Sequence, residues 1–237
     1  MTSTPTTQPT GPLVGSHPAK RPERVTFEGR WITLVPLDAQ AHARAIFEGS
    51  NGDAAREAVW TWLFDGPYPS LDEFRANIEA KARSADPMFF AVIDNPSGRT
   101  VGYQTLMRID TANRVIEVGN VMYTPAMQRT AGATEAQYLF ARYVFEQLGY
   151  RRYEWKCNAL NAPSRRAAER FGFTFEGVFR QHMIVKGRNR DTAWFAMLDS
   201  EWPARKAAFE RWLAPDNFDG QGRQKQRLSD FMPKGNG

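Results

Sequence analysis

Cysteine is nearly missing from this chain. A single one, Cys157 among 237 residues, excludes an internal disulfide framework. Histidine is almost as scarce. His17, His42 and His182 lie far apart and match no metal-ligand spacing, so no metal site is expected. Long apolar runs are absent too. The longest clean one, Met88-Phe89-Phe90-Ala91-Val92-Ile93, falls far short of the roughly 20 residues that span a bilayer. The first ten residues carry no apolar stretch behind a basic start, so a secretory signal is not expected. The reading is a cytoplasmic protein away from membranes. Charge of one sign is in small excess: 31 Lys and Arg against 26 Asp and Glu give +5. Such a balance suits nucleic acid, an anionic surface or a phosphate-rich small molecule. No zinc-finger spacing or aromatic RNA-binding motif supports the first of these.

Apolar residues make up 42% of the chain, which excludes wholesale disorder. Residues 1–24 read as a disordered tail, with Pro5, Pro9, Pro12, Pro18 and Pro22 and little to bury. Residues 214–237 read as a second tail, polar, basic and glycine-rich. Between them, 25–213 reads as one domain.

Hydrophobic periodicity divides that domain into elements. Strands are expected at 30–35, 89–93, 100–109, 115–123, 152–158, 174–185 and 192–198. Helices are expected from Asp38 to Gly49, Leu71 to Ser84, Ala133 to Leu148, Ser164 to Phe171 and Ser200 to Leu213. This order predicts an α/β (α+β) fold, with helices layered around one mixed sheet.

Two passages carry candidate chemistry. In the first, the strand Val115–Tyr123 runs into Thr124-Pro125-Ala126-Met127-Gln128-Arg129-Thr130-Ala131-Gly132 and then a long helix. Small residues admit a ligand to the backbone, and a helix start offers unpaired N–H groups to a phosphate. An ordinary strand-to-helix loop is the competing reading. In the second, Asn158-Ala159-Leu160-Asn161-Ala162-Pro163-Ser164 ends a strand and opens a helix stopped by Gly172-Phe173. Asn161 suits a helix cap or an amide-bearing ligand equally. Ser164 suits capping, or donation to a developing thiolate.

Together the passages resemble the Gcn5-related N-acetyltransferases, and within them the RimJ/RimL-type branch. Pro125, Gln128, Ala133, Thr134, Glu135 and Ala136 match the first family pattern. Asn161, Ser164 and Gly172-Phe173 match the second, and Glu176-Gly177 and Arg180 follow. The resemblance covers about residues 25–200. It implies a mostly antiparallel sheet with two central strands splayed, and acetyl-CoA as acyl donor. It places the donor on Met122, Tyr123, Gln128, Arg129, Thr130, Ala131, Gly132, Ala133, Thr134, Asn161 and Ser164. The diphosphate lies on the amides from Arg129 to Thr134. The pantetheine arm lies between the strands 115–123 and 152–158, with Gly119 as a bulge site. A backbone N–H near Tyr123 serves as oxyanion donor. The acceptor is a primary amine, a protein N-terminus or a small molecule, attacking directly in a ternary complex. Dimerisation is common in this branch.

The sequence departs from the family in two ways. Arg129 and Ala131 replace glycines, and a positive φ at Ala131 would be strained. Ala168 stands where many members keep a tyrosine acid, which leaves Ser164 or water to protonate the thiolate. Glu117 is the candidate base, with a surface or cross-strand carboxylate as the other reading. Trp60, Trp62, Asp65 and Tyr68 are candidates for the acceptor pocket, against a role plugging the core. Trp155 and Tyr153 are expected to pack in the sheet, Cys157 as a small buried hydrophobe and His182 as a structural residue. The run Lys186-Gly187-Arg188-Asn189-Arg190 reads as a solvated turn. A module of this fold that binds a coenzyme A ester, RNA or protein without turnover is the second functional reading.

Overall fold

A computed structural model describes residues 10–233. Its centre is an eight-stranded sheet in the order β1-β2-β3-β4-β5-β6-β8-β7. The strands are β1 (Phe27–Glu28), β2 (Ile32–Pro36), β3 (Met88–Asp94), β4 (Arg99–Asp110), β5 (Val115–Tyr123), β6 (Arg152–Asn158), β7 (Thr174–Val185) and β8 (Arg188–Leu198). Every neighbouring pair is antiparallel except β5 and β6, which run parallel. The helices are α1 (Ala39–Ser50), α2 (Ala54–Glu57), α3 (Leu71–Arg83), α4 (Ala131–Arg142), α5 (Ala162–Arg170), α6 (Trp202–Leu213) and α7 (Leu228–Phe231). β1, α2 and α7 escape the periodicity reading because each is too short to show a period.

The longest apolar run of the sequence becomes β3. Met88, Phe90 and Val92 face the core under α4 and α6. Phe89 and Ala91 face a second core under α1 and α3. A strand covered on both faces has no polar side to alternate with, which explains the unbroken run. Asp38 caps α1 by accepting from the Ala41 N–H at 2.7 Å. Ser70 caps α3, with Asp72 and Glu73 in its first turn and Lys81 and Arg83 in its last, as the helix dipole favours.

The central feature is the parting of β5 from β6. Their pairing runs from Val115–Arg152 to Val118–Trp155 and stops there. The cause lies across β5, on β4. Thr105 pairs with Gly119 and Tyr103 with Met122, so β5 carries one extra residue at this point. Asn120 absorbs the bulge with a left-handed φ of 46°. Gly119 beside it leaves room for Met107, whose Sδ would lie 2.3 Å from a Cβ there and would have to shift. Beyond the bulge β5 leans away, while β6 stays paired to β8 as far as Asn158–Thr192.

Both expected tails differ from the reading in part. Residues 1–9 lie outside the described residues. Ala19 N–H donates to Thr111 O and Lys20 N–H to Leu148 O, both at 2.9 Å, so the chain is already docked at residue 19. At the other end, Leu228 is fully buried in the main core. The buried Asn217 donates to Trp212 O and Gln226 O. Phe218 packs against Trp31 and Trp212. The stretch from Asp216 is thus held by a few apolar anchors and one amide. A composition count averages such anchors away among polar residues.

Candidate active site

The gap between β5 and β6 opens two cavities. The larger, of about 1000 Å³, runs from the gap along the start of α4 to the C-terminal stretch. The smaller, of about 150 Å³, lies on the other side of the gap, against β7 and β8. They share Val59, Trp62, Val121, Trp155, Asn161 and Ser164.

The start of α4 builds one wall of the larger cavity. Thr130 is its N-cap and accepts from the Ala133 N–H at 3.1 Å. Among the described residues, nothing accepts from the N–H groups of Arg129, Thr130, Ala131 or Gly132. Free amides at a positive helix end suit a phosphate. The helix begins at Ala131, two residues before its expected start, so Ala131 is helical and unstrained. The left-handed residue is instead Arg129, with φ 63°. An L side chain in this conformation costs roughly 1–2 kcal/mol. Arg129→Gly is therefore expected to leave stability within about 1 kcal/mol, since relief of strain offsets gained chain entropy. Because Arg129 lines the larger cavity, loss of its charge is expected to weaken binding of an anionic ligand there about fivefold. Thermal melting and donor titration check the two halves.

Most of the residues expected to hold the donor line the larger cavity, and two do not. Tyr123, Gln128, Arg129, Thr130, Ala131, Ala133, Thr134, Asn161 and Ser164 line the larger cavity. The Met122 side chain is 1% exposed and belongs to the second core, because it points away from the gap at its register position. Gly132 does not line the cavity. A Cβ on it would lie 2.6 Å from Ile32 Cγ2, so its smallness seats α4 against β2.

Asn161 is the helix cap of its two readings, and Ser164 is not a cap. Asn161 Oδ1 caps α5 by accepting from the Ser164 N–H at 3.1 Å, and the residue still lines both cavities. Ser164 Oγ accepts from Trp155 Nε1 at 3.0 Å. That contact uses a lone pair and leaves the hydroxyl proton uncommitted to it, with the Cys157 sulfur as a neighbouring acceptor. Trp155 and Tyr153 are buried in the sheet as expected. Cys157 is also buried, and burial pushes its thiol pKa up, which suits an inert residue.

The smaller cavity holds Glu117, which is 4% exposed. It accepts from Lys156 Nζ at 2.8 Å and pairs with Arg108 Nε at 3.2 Å. It is buried and not on the surface, and its bond to Lys156 on β6 makes it a cross-strand carboxylate, as the other reading has it. Burial pushes its pKa up, and Lys156 and Arg108 oppose this only in part. His182 also lines this cavity, with Nδ1 3.0 Å from Thr192 Oγ1. Burial, then Arg108, Arg190 and Lys156, hold its pKa below the ordinary value, so it is neutral at pH 7. The contact with Thr192 agrees with a structural residue, and the place beside the cavity follows from strand pairing, which leaves no local signal in the sequence. Arg190 was missed for the same reason. It is buried against the smaller cavity instead of standing in a solvated turn.

The four candidates for the acceptor wall separate. Trp62 lines both cavities at 37% exposure. Trp60 is 1% exposed in the second core, donates Nε1–H to Ser50 O at 2.9 Å and packs edge-on against Tyr68 and Phe74. Tyr68 Oη donates to Asp65 at 2.5 Å, and Asp65 also pairs with Lys81. None of these three lines either cavity. An indole can be fully buried where its N–H finds a carbonyl, and Asp65 attracts the nearest ammonium of its own chain. Trp62→Ala is expected to shift stability by under about 1 kcal/mol and to lower kcat/KM for the amine about tenfold. Melting curves beside steady-state kinetics test that split.

A sequence model of the Acetyltransferase (GNAT) domain matches residues 32–174. The chain belongs to the GCN5-related N-acetyltransferase family. A crystal structure of a family member from Brucella melitensis shares 56% identity, covers 91% of this chain and 97% of that one, and superposes with a TM-score of 0.88. A second crystal structure of this family, from Chromobacterium violaceum ATCC 12472, shares 39% identity over 85% of this chain and all of that one, with a TM-score of 0.76. A Bacillus subtilis (strain 168) protein, provisionally named ribosomal N-acetyltransferase YdaF, is 27% identical over 176 residues, 73% of this chain and 92% of that protein. The chain is an N-acetyltransferase, and the mixed sheet with a parted central pair is the family's fold.

Proposed function

We propose that this acetyltransferase is of the RimJ/RimL type, with acetyl-CoA in the larger cavity and a primary amine in the smaller one. The free amides of Arg129 to Gly132, opening on a cavity continuous with the strand gap, carry this reading. They would hold the diphosphate, and the pantetheine arm would follow the unpaired edges of β5 and β6. The thioester would then reach the residues shared by the two cavities, where Ser164 stands. The provisional name of the Bacillus relative supports the RimJ/RimL assignment.

Each residue has a role in this reading. Glu117 takes a proton from the incoming ammonium through water, so that a neutral amine attacks the thioester carbonyl. The thioester C–S bond breaks as the new C–N bond forms. As the C–N bond forms the nitrogen releases its second proton through water to Ser164, which passes its own hydroxyl proton to the leaving thiolate, and Glu117 returns the first proton to solvent. A thiol with a pKa of about 8.5 needs little help to leave, so the absence of a tyrosine at Ala168 is tolerable. The acceptor is a protein N-terminus or a small-molecule amine.

Calorimetry with acetyl-CoA, followed by thiol release with a panel of amines, tests the proposal. Saturable binding together with amine-dependent thiol release is expected. Binding with no thiol release from any amine would return the chain to a non-catalytic coenzyme A-ester module.

A further inference from the structure

The charges around the smaller cavity are matched, with one exception. Arg108, Lys156 and Arg152 alternate with Glu117, Glu154 and Glu176 in a continuous chain of ion pairs. Three cations there meet three anions. Arg190 stands outside this chain. It is 7% exposed and lines the smaller cavity, with its guanidinium 5.1 Å from the centre of the Phe64 ring. Its Nε is buried without a hydrogen-bond partner. Among the described residues no carboxylate pairs with it. The adjacent Asp191 is turned away, accepting from the Gln181 N–H and Asn189 Nδ2.

A buried guanidinium without a counter-ion is costly, and the planar fork matches a carboxylate in two-point contact. The Phe64 ring packs against the guanidinium on one side. The same cavity holds Glu117, where the amine must arrive. An acceptor with an amine at one end and an anion at the other would meet opposite charges at both ends. A polyamine would meet Arg190 as a repulsive charge.

We propose that the acceptor is a primary amine bearing a carboxylate, which Arg190 binds while Glu117 receives the amine's proton. This rests on the acetyl-transfer reading above and narrows its acceptor. The carboxylate has two chemical sources, the main chain of a free amino acid or an acidic side chain beside a peptide N-terminus.

The test uses full-length protein and acetyl-CoA with two matched pairs of amines. Alanine against alaninamide represents the free amino acid. The amidated dipeptides Ala-Asp and Ala-Asn represent the acidic terminus. Native enzyme is expected to favour the carboxylate member of at least one pair, and the preferred pair identifies the source. Arg190→Gln is expected to reduce that preference on the order of 30-fold in kcat/KM, and Arg190→Lys to keep part of it. Comparing preferences between native and variant cancels the amines' own pKa differences. KM for acetyl-CoA is expected to stay unchanged. Equal loss on all four amines, a raised KM for acetyl-CoA, a carboxylate-to-amide ratio unchanged in Arg190→Gln, or a native preference for spermidine would overturn the proposal. If no amine releases thiol, the acetyl-transfer reading fails by itself. Binding of N-acetylalanine against its amide, in the presence of coenzyme A, still decides the role of Arg190. Equal binding of the two by the native protein would refute it.

Discussion

Replacing Glu117 by Gln is expected to lower kcat for amine acetylation by about 100-fold at neutral pH, leaving KM for acetyl-CoA unchanged. Glu117 combines burial, which raises its pKa above the ordinary carboxylate value, with two cationic partners, Lys156 and Arg108, that oppose the rise. A raised pKa makes a stronger base, which is what removing a proton from an ammonium requires. The base acts only when deprotonated. Native activity should therefore fall as pH drops through this raised value. In the Gln variant that limb should vanish, and only the titration of the amine itself should remain. Glutamine keeps the shape and one acceptor oxygen for Lys156, which also retains Glu154. The fold is therefore expected to survive, as a melting curve would show. Turnover unchanged at every pH would remove Glu117 from the chemistry. Activity should then be examined in His182→Asn, since His182 is the other neutral proton acceptor in that cavity.

Glu135→Ala is expected to lower stability by about 3–5 kcal/mol, with little change in KM for whatever protein remains folded. Glu135 lies in the stretch that resembles the family's coenzyme A motif, yet it faces away from the cavity and is 5% exposed. Its Oε1 accepts from the Arg30 N–H at 2.8 Å, and its Oε2 from the Trp31 and Ile32 N–H groups at 2.7 and 3.0 Å. One carboxylate thus closes the turn between β1 and β2 and pins α4 to it. Gly29 belongs to the same arrangement, because a Cβ there would lie 2.4 Å from Glu135 Oε2. Alanine would leave three main-chain donors without an acceptor, and water reaches the innermost poorly. Glutamine keeps one oxygen and should fall between the two. Denaturant unfolding of the three proteins orders them. A Glu135→Ala protein as stable as the native one would show that these contacts contribute nothing net.

The main elements were legible because each writes its own period or punctuation. β3 is an apolar run bounded by a turn, α4 an apolar stripe, and α5 a helix between Asn161 and Gly172. The loop before α4 was legible as well, since free N–H groups follow from any helix start. The acceptor side was legible only in part. Trp62 and Trp60 are two residues apart in an irregular stretch where neither a period of 2 nor one of 3.6 holds. Nothing local distinguishes the one that plugs the core from the one that lines the gap. Arg190 follows a turn of basic residues that resembles a solvated one. Its burial depends on Phe64, more than a hundred positions earlier in the chain.

By itself the amino-acid order determined the strands, the helices, the bulge glycine and the amide-bearing loop. These depend on neighbours within a few positions, where backbone geometry and hydrophobic spacing act directly. Only the tertiary structure decided which charges find partners. Glu117 meets Lys156 because β5 and β6 are parallel neighbours, and Arg190 is left over because β8 returns beside β6. Charge pairing is set by distance through space, and the sheet's strand order, not the chain's, fixes that distance.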